Sequence, residues 1–117
     1  MKKIASFLLA ATVALPMQVF AVGAIAVDDQ MGDKDPAWGV STGEDSEGAA
    51  KKAALKFCSE NGEHCKVVAW FKTCGAYASS AKYYGYGWGD TKAIATKKAL
   101  EMCGQNSCKL VVAECEE

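Results

Sequence analysis

The sequence contains the same series of landmarks twice, and this recurrence constrains the fold more than any other feature. The matched segments, in chain order, are Gly23-Ala24-Ile25-Ala26 with Gly75-Ala76-Tyr77-Ala78, Trp38-Gly39 with Trp88-Gly89, Asp45-Ser46 with Asp90-Thr91, Ala54-Leu55 and Cys58 with Ala99-Leu100 and Cys103, and Cys65-Lys66-Val67-Val68 with Cys108-Lys109-Leu110-Val111. The offset between the copies falls from 52 to 43 residues along the unit, as expected when a duplicated unit keeps its elements and shortens its loops. We therefore predict an internal duplication with units 23–73 and 74–115.

Each unit is predicted to consist of two strands, a helix and a further strand. Residues 23–27 and 37–41 are short apolar runs bounded by turn residues, which predicts two strands able to form a hairpin. Asp45 or Ser46 can cap the helix, and 66–71 is a β-rich run. The packed face of the helix is predicted to hold Ala50, Ala54, Phe57 and Cys58. We expect a disulfide-stabilised α+β domain with an antiparallel or mixed sheet of about six strands, which two helices cover or divide.

Residues 1–21 are typical of a secretory signal peptide. Met1-Lys2-Lys3 precedes an apolar run from Ile4 to Leu15, and small residues lead to a predicted cleavage after Ala21. That run is shorter than the roughly 20 residues of a membrane helix, so a membrane anchor is the weaker alternative. Residues 22–117 then form a single small domain, predicted to be periplasmic or secreted by a bacterium, with no membrane span after cleavage.

The six cysteines all lie in the predicted mature chain. Two pairs, Cys58 with Cys65 and Cys103 with Cys108, occupy matching places between a helix and a strand, so symmetry favours pairing within each copy. This leaves Cys74 to pair with Cys115, although six cysteines allow 15 connectivities. A zinc site is the alternative, but the spacings differ from those of usual zinc ligands and an exported protein favours disulfides.

Charge and composition argue against several kinds of partner. The 13 basic residues are all lysines, and Lys2 and Lys3 belong to the predicted signal peptide, so the mature chain carries 11 lysines against 14 acidic residues and a net charge of −3. A mildly acidic chain without arginine is a poor candidate for binding nucleic acid or phosphate.

The landmark segments resemble a known bacterial family. Gly-Ala-Ile-Ala from Gly23, the Trp-Gly pair at Trp38, the alanine-rich helix ending in Cys58, Cys-Gly-Ala-Tyr-Ala from Cys74 and Gly-Trp-Gly at Gly87 are together similar to domain of unknown function 4189. The resemblance covers 23–115. It implies a small exported protein with paired cysteines, and it supplies no catalytic residue.

Aromatic residues give the main candidate for a binding surface. In Gly85-Tyr86-Gly87-Trp88-Gly89 the glycines alternate with aromatics, which on a strand places Tyr86 and Trp88 on the face opposite the glycines. One interpretation is that the glycines let a helix pack closely while the aromatics fill the core. The other is an aromatic platform for sugar or protein, formed by Tyr83, Tyr84, Tyr86 and Trp88. Because Trp38 and Trp88 match across the repeat, we expect both tryptophans to be core residues.

Candidates for catalysis or metal binding are sparse, and we predict neither a catalytic residue nor a cofactor. His64 lies in a polar turn beside a cysteine that is predicted to be bonded, so a surface role is favoured over a Cys–His nucleophile. Asp28, Asp33 and Asp35 could hold calcium, but the EF-hand pattern is absent. We predict that acids in loops cap helices or contact solvent.

These observations favour a non-enzymatic binding or inhibitor module. The expected partner is a cell-envelope or extracellular protein, such as a peptidoglycan hydrolase. The alternatives are a small carboxylate-dependent hydrolase of envelope polymer, which would use Asp28, Asp29 or Asp90, and a host-interaction or stress protein.

Overall fold

The computed structural model describes residues 21–32 and 34–116. The predicted signal peptide, apart from Ala21, lies outside this part of the chain, as do Asp33 of the predicted calcium loop and the last residue.

Within the described residues, six strands and two helices follow one another in the predicted order. The first half contains β1 (Val22–Asp28), β2 (Ala37–Glu44), α1 (Glu47–Cys58) and β3 (Lys66–Phe71). The second half contains β4 (Cys74–Ser79), β5 (Tyr84–Gly89), α2 (Lys92–Cys103) and β6 (Lys109–Cys115). The two halves therefore share one order of elements, strand-strand-helix-strand.

Hydroxyl side chains begin both helices. The Ser46 Oγ accepts a hydrogen bond from the Ala49 N–H, and the Thr91 Oγ1 accepts one from the Ile94 N–H, each at 3.1 Å. Each cap satisfies a backbone donor that has no partner within the helix. Of the two residues considered for the first cap, Ser46 holds the position. Gly104 ends α2 in a left-handed conformation (φ 74°), which glycine adopts without steric cost.

The strands form two three-stranded antiparallel sheets, so the expectation of one sheet of about six strands is wrong. The order is β2-β1-β3 in the first sheet and β5-β4-β6 in the second. In each half the first strand is central and is hydrogen-bonded to its own half on both sides. Because both edges of β1 and of β4 are occupied in this way, neither central strand can join the other sheet.

The two sheets pack face to face, with one helix on each outer face. On the outer faces, the alanines of β1 pack against Ala50 and Ala54 of α1, and those of β4 pack against Ala95 and Ala99 of α2. Between the sheets lies a core of Ile25, Val27, Phe71, Tyr77 and Val112. The central strands are thus covered on both sides, which explains why every residue of β1 is buried. The layers are helix, sheet, sheet, helix.

Glycines on the edge strands set the distance between helix and sheet. A Cβ atom added at Gly87 would lie 2.6 Å from the Ala95 carbonyl oxygen and 2.7 Å from the Ala99 nitrogen. At Gly39 it would lie 2.5 Å from the Ala54 carbonyl oxygen. Real side chains do not approach a helix backbone this closely, so glycine is required where α1 and α2 cross their sheets. The interpretation that the glycines permit close packing is confirmed.

All six cysteines are paired in three disulfides. The pairs are Cys58–Cys65, Cys103–Cys108 and Cys74–Cys115, which are the pairs that the symmetry of the sequence predicts. The first two close the turn after each helix. The third joins the ends of β4 and β6, where the two cysteines are register partners. Three disulfides are consistent with an oxidising compartment outside the cytoplasm.

Three aromatic residues expected in the interior are exposed instead. Phe57 is 46% exposed on α1, Trp38 is 43% exposed on β2 and Trp88 is 53% exposed on β5. Gly39 brings α1 so close to β2 that only the small side chains of Ala50, Ala54 and Cys58 fit between them. Both tryptophans lie on edge strands, beyond the core that the central strands fill.

Candidate functional site

The structure divides the predicted aromatic platform between two clefts. Tyr86 and Trp88 line one cleft, which lies along the neighbouring edges of the two sheets. Tyr83 and Tyr84 line another, which lies at one end of the sandwich. In β5, Tyr84, Tyr86 and Trp88 all lie on the face opposite the glycines, so alternation alone does not separate them. Tyr84 lies at the start of the strand and Trp88 near its end, and the two therefore line different clefts.

The aromatic groove, as we name the first cleft, is formed by Trp70, Phe71 and Lys72 from the end of β3 and by Tyr86 and Trp88 from β5. Its volume is about 570 Å³. The Tyr86 and Trp88 rings stack, with centroids 6.0 Å apart and planes inclined by 15°. The Lys72 Nζ lies 6.0 Å from the centroid of the Trp70 ring. The groove therefore presents flat aromatic surface beside a cation.

Trp70 is an exposed aromatic residue of this groove that is not part of the predicted platform. It occurs in the β-rich run 66–71, which predicts a strand but does not say which of its side chains are exposed. β3 is an edge strand, however, and Trp70 remains 37% exposed. The neighbouring Lys72 was the available signal, because charged residues on both sides of an apolar run are typical of an edge strand.

The tyrosine cleft, as we name the second cleft, has a volume of about 710 Å³. It lies between Asp29, Gly32 and residues 34–36 of the connection from β1 to β2, and residues 79–84 around the turn from β4 to β5. Its lining includes Tyr77, Ser80, Lys82, Tyr83 and Tyr84. The two halves of the protein thus contribute opposite walls of this cleft, and places where two units meet are common positions for ligand sites.

Tyr77 is a fully buried wall residue of the tyrosine cleft. Its side chain is 0% exposed, and its hydroxyl has no hydrogen-bond partner among the described residues. The Tyr84 ring stacks on it, with centroids 6.2 Å apart. Burial, with smaller contributions from the charges of Asp29 and Tyr84, raises the pKa of Tyr77 to about 12. The hydroxyl is therefore a protonated donor at any physiological pH.

Asp28 is a structural residue rather than the loop acid that the sequence indicated. It is 1% exposed, and its carboxylate accepts backbone hydrogen bonds from Gln30 (2.8 Å), Glu63 (2.9 Å) and His64 (2.9 Å). The hydrogen bond from His64, followed by that from Gln30, lowers the pKa of Asp28 below its ordinary 3.8. The carboxylate holds the turn that the Cys58–Cys65 disulfide closes. His64 itself is largely exposed, with its Nδ1 4.0 Å from an Asp28 oxygen.

The acids considered for catalysis line three different clefts. Asp28 lines a small cleft at the turn after α1, Asp29 lines the tyrosine cleft and Asp90 lines the aromatic groove. Asp29 is also 3.5 Å from the Lys66 Nζ. Among residues 21–32 and 34–116, no group of three or more His, Cys, Asp or Glu side chains is arranged to hold a metal ion.

Fold and disulfides together define a small four-layer α+β domain. The chain belongs to the family described as Domain of unknown function (DUF4189), which matches residues 22–115. It is also similar to Protein Rv1269c of Mycobacterium tuberculosis and to Protein Mb1300c of Mycobacterium bovis, each 39% identical over 67 residues. Those matches cover 57% of this chain and 52% of each relative, so the chain spans about half the length of the curated relatives it matches. No solved structure matches the chain significantly. Neither described helix has the length and apolar character needed to cross a membrane.

Proposed function

We propose that this protein is an exported, non-enzymatic binding or inhibitor module that contacts a protein partner through the aromatic groove. The partner is a protein of the bacterial envelope or of the extracellular space, with a peptidoglycan hydrolase as the first candidate. The single observation that carries the proposal is the exposure of Trp70 and Trp88, beside the half-buried Tyr86, along one groove.

The physical support comes from the cost of exposing large aromatic side chains to water. Tryptophan and tyrosine are the residues most enriched among those that dominate binding energy at protein interfaces. In the aromatic groove they lie on two edge strands, and Cys74 of the groove wall is fixed by the disulfide to Cys115. A rigid surface loses little conformational entropy when it binds, which favours affinity.

Export and internal duplication complete the proposal. A predicted signal peptide at 1–21 and three disulfides support a periplasmic or secreted location. The shared order of elements, and the central position of the first strand in each sheet, support descent of both halves from one duplicated unit. Only the second half adds the tyrosines Tyr83, Tyr84 and Tyr86.

The carboxylate-dependent hydrolase is a weaker proposal. It requires two carboxylates on either side of one substrate, one of them with a raised pKa. Asp28 has a lowered pKa and is fully engaged with backbone amides, while Asp29 and Asp90 line separate clefts. A host-interaction or stress role is compatible with the binding module, because it differs only in the partner.

The test is affinity capture followed by measurement with the purified partner. The oxidised protein is immobilised, exposed to envelope extract, and the captured protein is purified and titrated against Trp88→Ala and Tyr86→Ala variants. Trp38→Ala is a matched control, because Trp38 is an exposed tryptophan at the corresponding place of the other half and lies outside the groove. We expect Trp88→Ala to weaken binding more than tenfold, which corresponds to about 1.4 kcal/mol, and Trp38→Ala to have little effect.

Equal losses for Trp88→Ala and Trp38→Ala would exclude the groove as the contact surface. A captured peptidoglycan hydrolase whose activity is unchanged at saturating protein would exclude inhibition while leaving the binding module in place.

A further inference from the structure

We infer that the tyrosine cleft is a second binding site, separate from the aromatic groove, and that its ligand is an acidic saccharide. The site is defined by the buried Tyr77 hydroxyl, the exposed rings of Tyr83 and Tyr84, and the lysines at its rim.

The Tyr77 hydroxyl is buried and has no hydrogen-bond partner among the described residues. A buried polar group without a hydrogen bond destabilises the protein that contains it. Phenylalanine would fill the same space between the sheets without that cost, so packing alone does not explain a tyrosine here. Because Tyr77 also forms part of the wall of the tyrosine cleft, its hydroxyl has a use if a ligand that enters the cleft accepts its hydrogen bond.

The Tyr84 ring lies over the Tyr77 ring. The two rings stack with an inclination of 23°, and Tyr84 is about half exposed at the start of the edge strand β5. Tyr84 therefore covers Tyr77 in the free protein, and it lies outside the buried core between the sheets. Ligand binding is expected to move the Tyr84 ring, which exposes the hydroxyl below it.

Charged side chains of both signs line the tyrosine cleft. Three lysines, Lys34, Lys82 and Lys109, line the cleft together with Asp29 and Asp35. Asp29 is paired with Lys66, whose Nζ lies 5.8 Å from the centroid of the Tyr84 ring. Among the lining residues that the structure describes, the lysines therefore outnumber the acids, one of which is paired with Lys66. The cleft attracts an anion, although the protein as a whole is acidic.

The lining of the tyrosine cleft combines flat aromatic rings with hydroxyl groups. Tyr83 and Tyr84 present aromatic faces that suit the apolar face of a pyranose ring. The serines of the lining supply hydroxyls that can both donate and accept hydrogen bonds; they are Ser79, Ser80 and Ser107. A sugar that carries a carboxylate satisfies all of these groups together, whereas a simple anion would leave the aromatic faces unused.

The test is a titration of the oxidised protein, followed by calorimetry and by amide NMR shifts. The probes are a disaccharide that contains glucuronic acid, the matched neutral disaccharide and inorganic phosphate. We expect measurable binding of the acidic disaccharide, with shifts centred on Tyr77, Tyr83 and Tyr84, and binding at least tenfold weaker for the other two probes. Equal affinity for the neutral sugar would overturn the role of charge. Equal affinity for phosphate would overturn the saccharide.

Tyr77→Phe separates a ligand-binding hydroxyl from a structural one. We expect the variant to bind the acidic disaccharide about tenfold more weakly, while the free protein melts at the same temperature or higher because an unpartnered group has been removed. Trp38→Phe, outside both the cleft and the groove, is the control and should bind the disaccharide normally. A lower melting temperature for Tyr77→Phe, or unchanged affinity, would overturn the inference.

Substitution of the rim lysines tests the electrostatic part. Lys82→Gln combined with Lys109→Gln should weaken binding of the acidic disaccharide and reduce its dependence on salt, whereas the exposed Lys52→Gln of α1 should do neither. If Lys52→Gln had the same effect as the rim variants, the attraction would come from overall charge and the cleft would not be the site. Because the proposed protein partner binds the aromatic groove, loss of either site leaves the other testable.

Discussion

Removal of the Cys74–Cys115 disulfide should destabilise the protein about twice as much as removal of the Cys103–Cys108 disulfide. The first bond closes a loop with a sequence separation of 41 residues, and the second closes one of 5 residues. In the chain-entropy description, a bond that closes a longer loop removes more conformational freedom from the unfolded chain. The expected losses are about 4 and about 2 kcal/mol respectively.

The comparison is well matched because the two pairs have similar surroundings. Cys74 and Cys103 are each 3% exposed, and their partners Cys115 and Cys108 are both half-buried. Replacement of each pair by alanine therefore removes similar packing, and that contribution largely cancels in the difference. A loss of about 4 kcal/mol is a large part of the 5–15 kcal/mol by which small domains are usually stable.

The assay is urea unfolding of the double-alanine variants, followed by far-ultraviolet circular dichroism. Tryptophan fluorescence is the poorer probe, because Trp38, Trp70 and Trp88 are already exposed in the folded protein. The slope of the free energy of unfolding against urea should also rise more for the variant without Cys74 and Cys115, since its unfolded state expands more. Equal losses for the two variants would refute the loop-entropy reasoning.

Three further perturbations test the packing, the buried carboxylate and the helix cap. Gly87→Ala should cost about 1–3 kcal/mol of unfolding free energy, because its Cβ would overlap α2, while Gly48→Ala, in open space on α1, should stabilise by about 0.5–1 kcal/mol. Asp28 has a folded-state pKa below its ordinary 3.8. Its ionised carboxylate therefore stabilises the fold fully above pH 3.8, and this stability is lost as the pH falls through the folded-state pKa. Asp28→Asn should remove this acid dependence, and Asp35→Asn should not. Ser46→Ala should cost about 1 kcal/mol through loss of the helix cap.

Thermal or urea unfolding between pH 2 and pH 7 checks all three. A neutral Gly87→Ala would mean that α2 moves away from β5 at no cost. Retention of the full acid dependence in Asp28→Asn would assign it to other carboxylates. A Ser46→Ala variant as stable as the parent would show that water replaces the cap without loss.

The sequence predicts that aromatic residues form part of the surface, but it does not predict where on the surface they lie. Alternation in β5 correctly puts Tyr86 and Trp88 on the face opposite the glycines, where Trp88 is exposed and Tyr86 is half-buried. Trp38 and Trp88 were nevertheless expected in the core, because matched hydrophobic residues in a repeat usually mark shared packing. Their exposure follows from their place on edge strands, and a strand becomes an edge only when the whole sheet is assembled.

The burial of Asp28, a polar residue, could not be predicted from the sequence either. Its sequence neighbours describe an acid at a turn after β1, whereas its hydrogen-bond donors include Glu63 and His64, 35 and 36 residues away. Burial of this carboxylate depends on the turn that follows α1 folding back over the end of β1. No local pattern reports a contact between segments so far apart in the chain.

The sequence by itself determined the order of elements and the approximate helix starts. Through the symmetry of the repeat it favoured the cysteine pairs, and it offered close helix packing as one of two interpretations of the glycines in β5. Each of these depends on a short stretch of chain or on comparison of one unit with the other. Only the tertiary structure decided that the strands form two sheets rather than one, and that the predicted aromatic platform separates into a groove and a cleft. Both outcomes arise from how the two halves pack on each other, because the faces of β1 and β4 opposite the helices are buried only when the sheets meet.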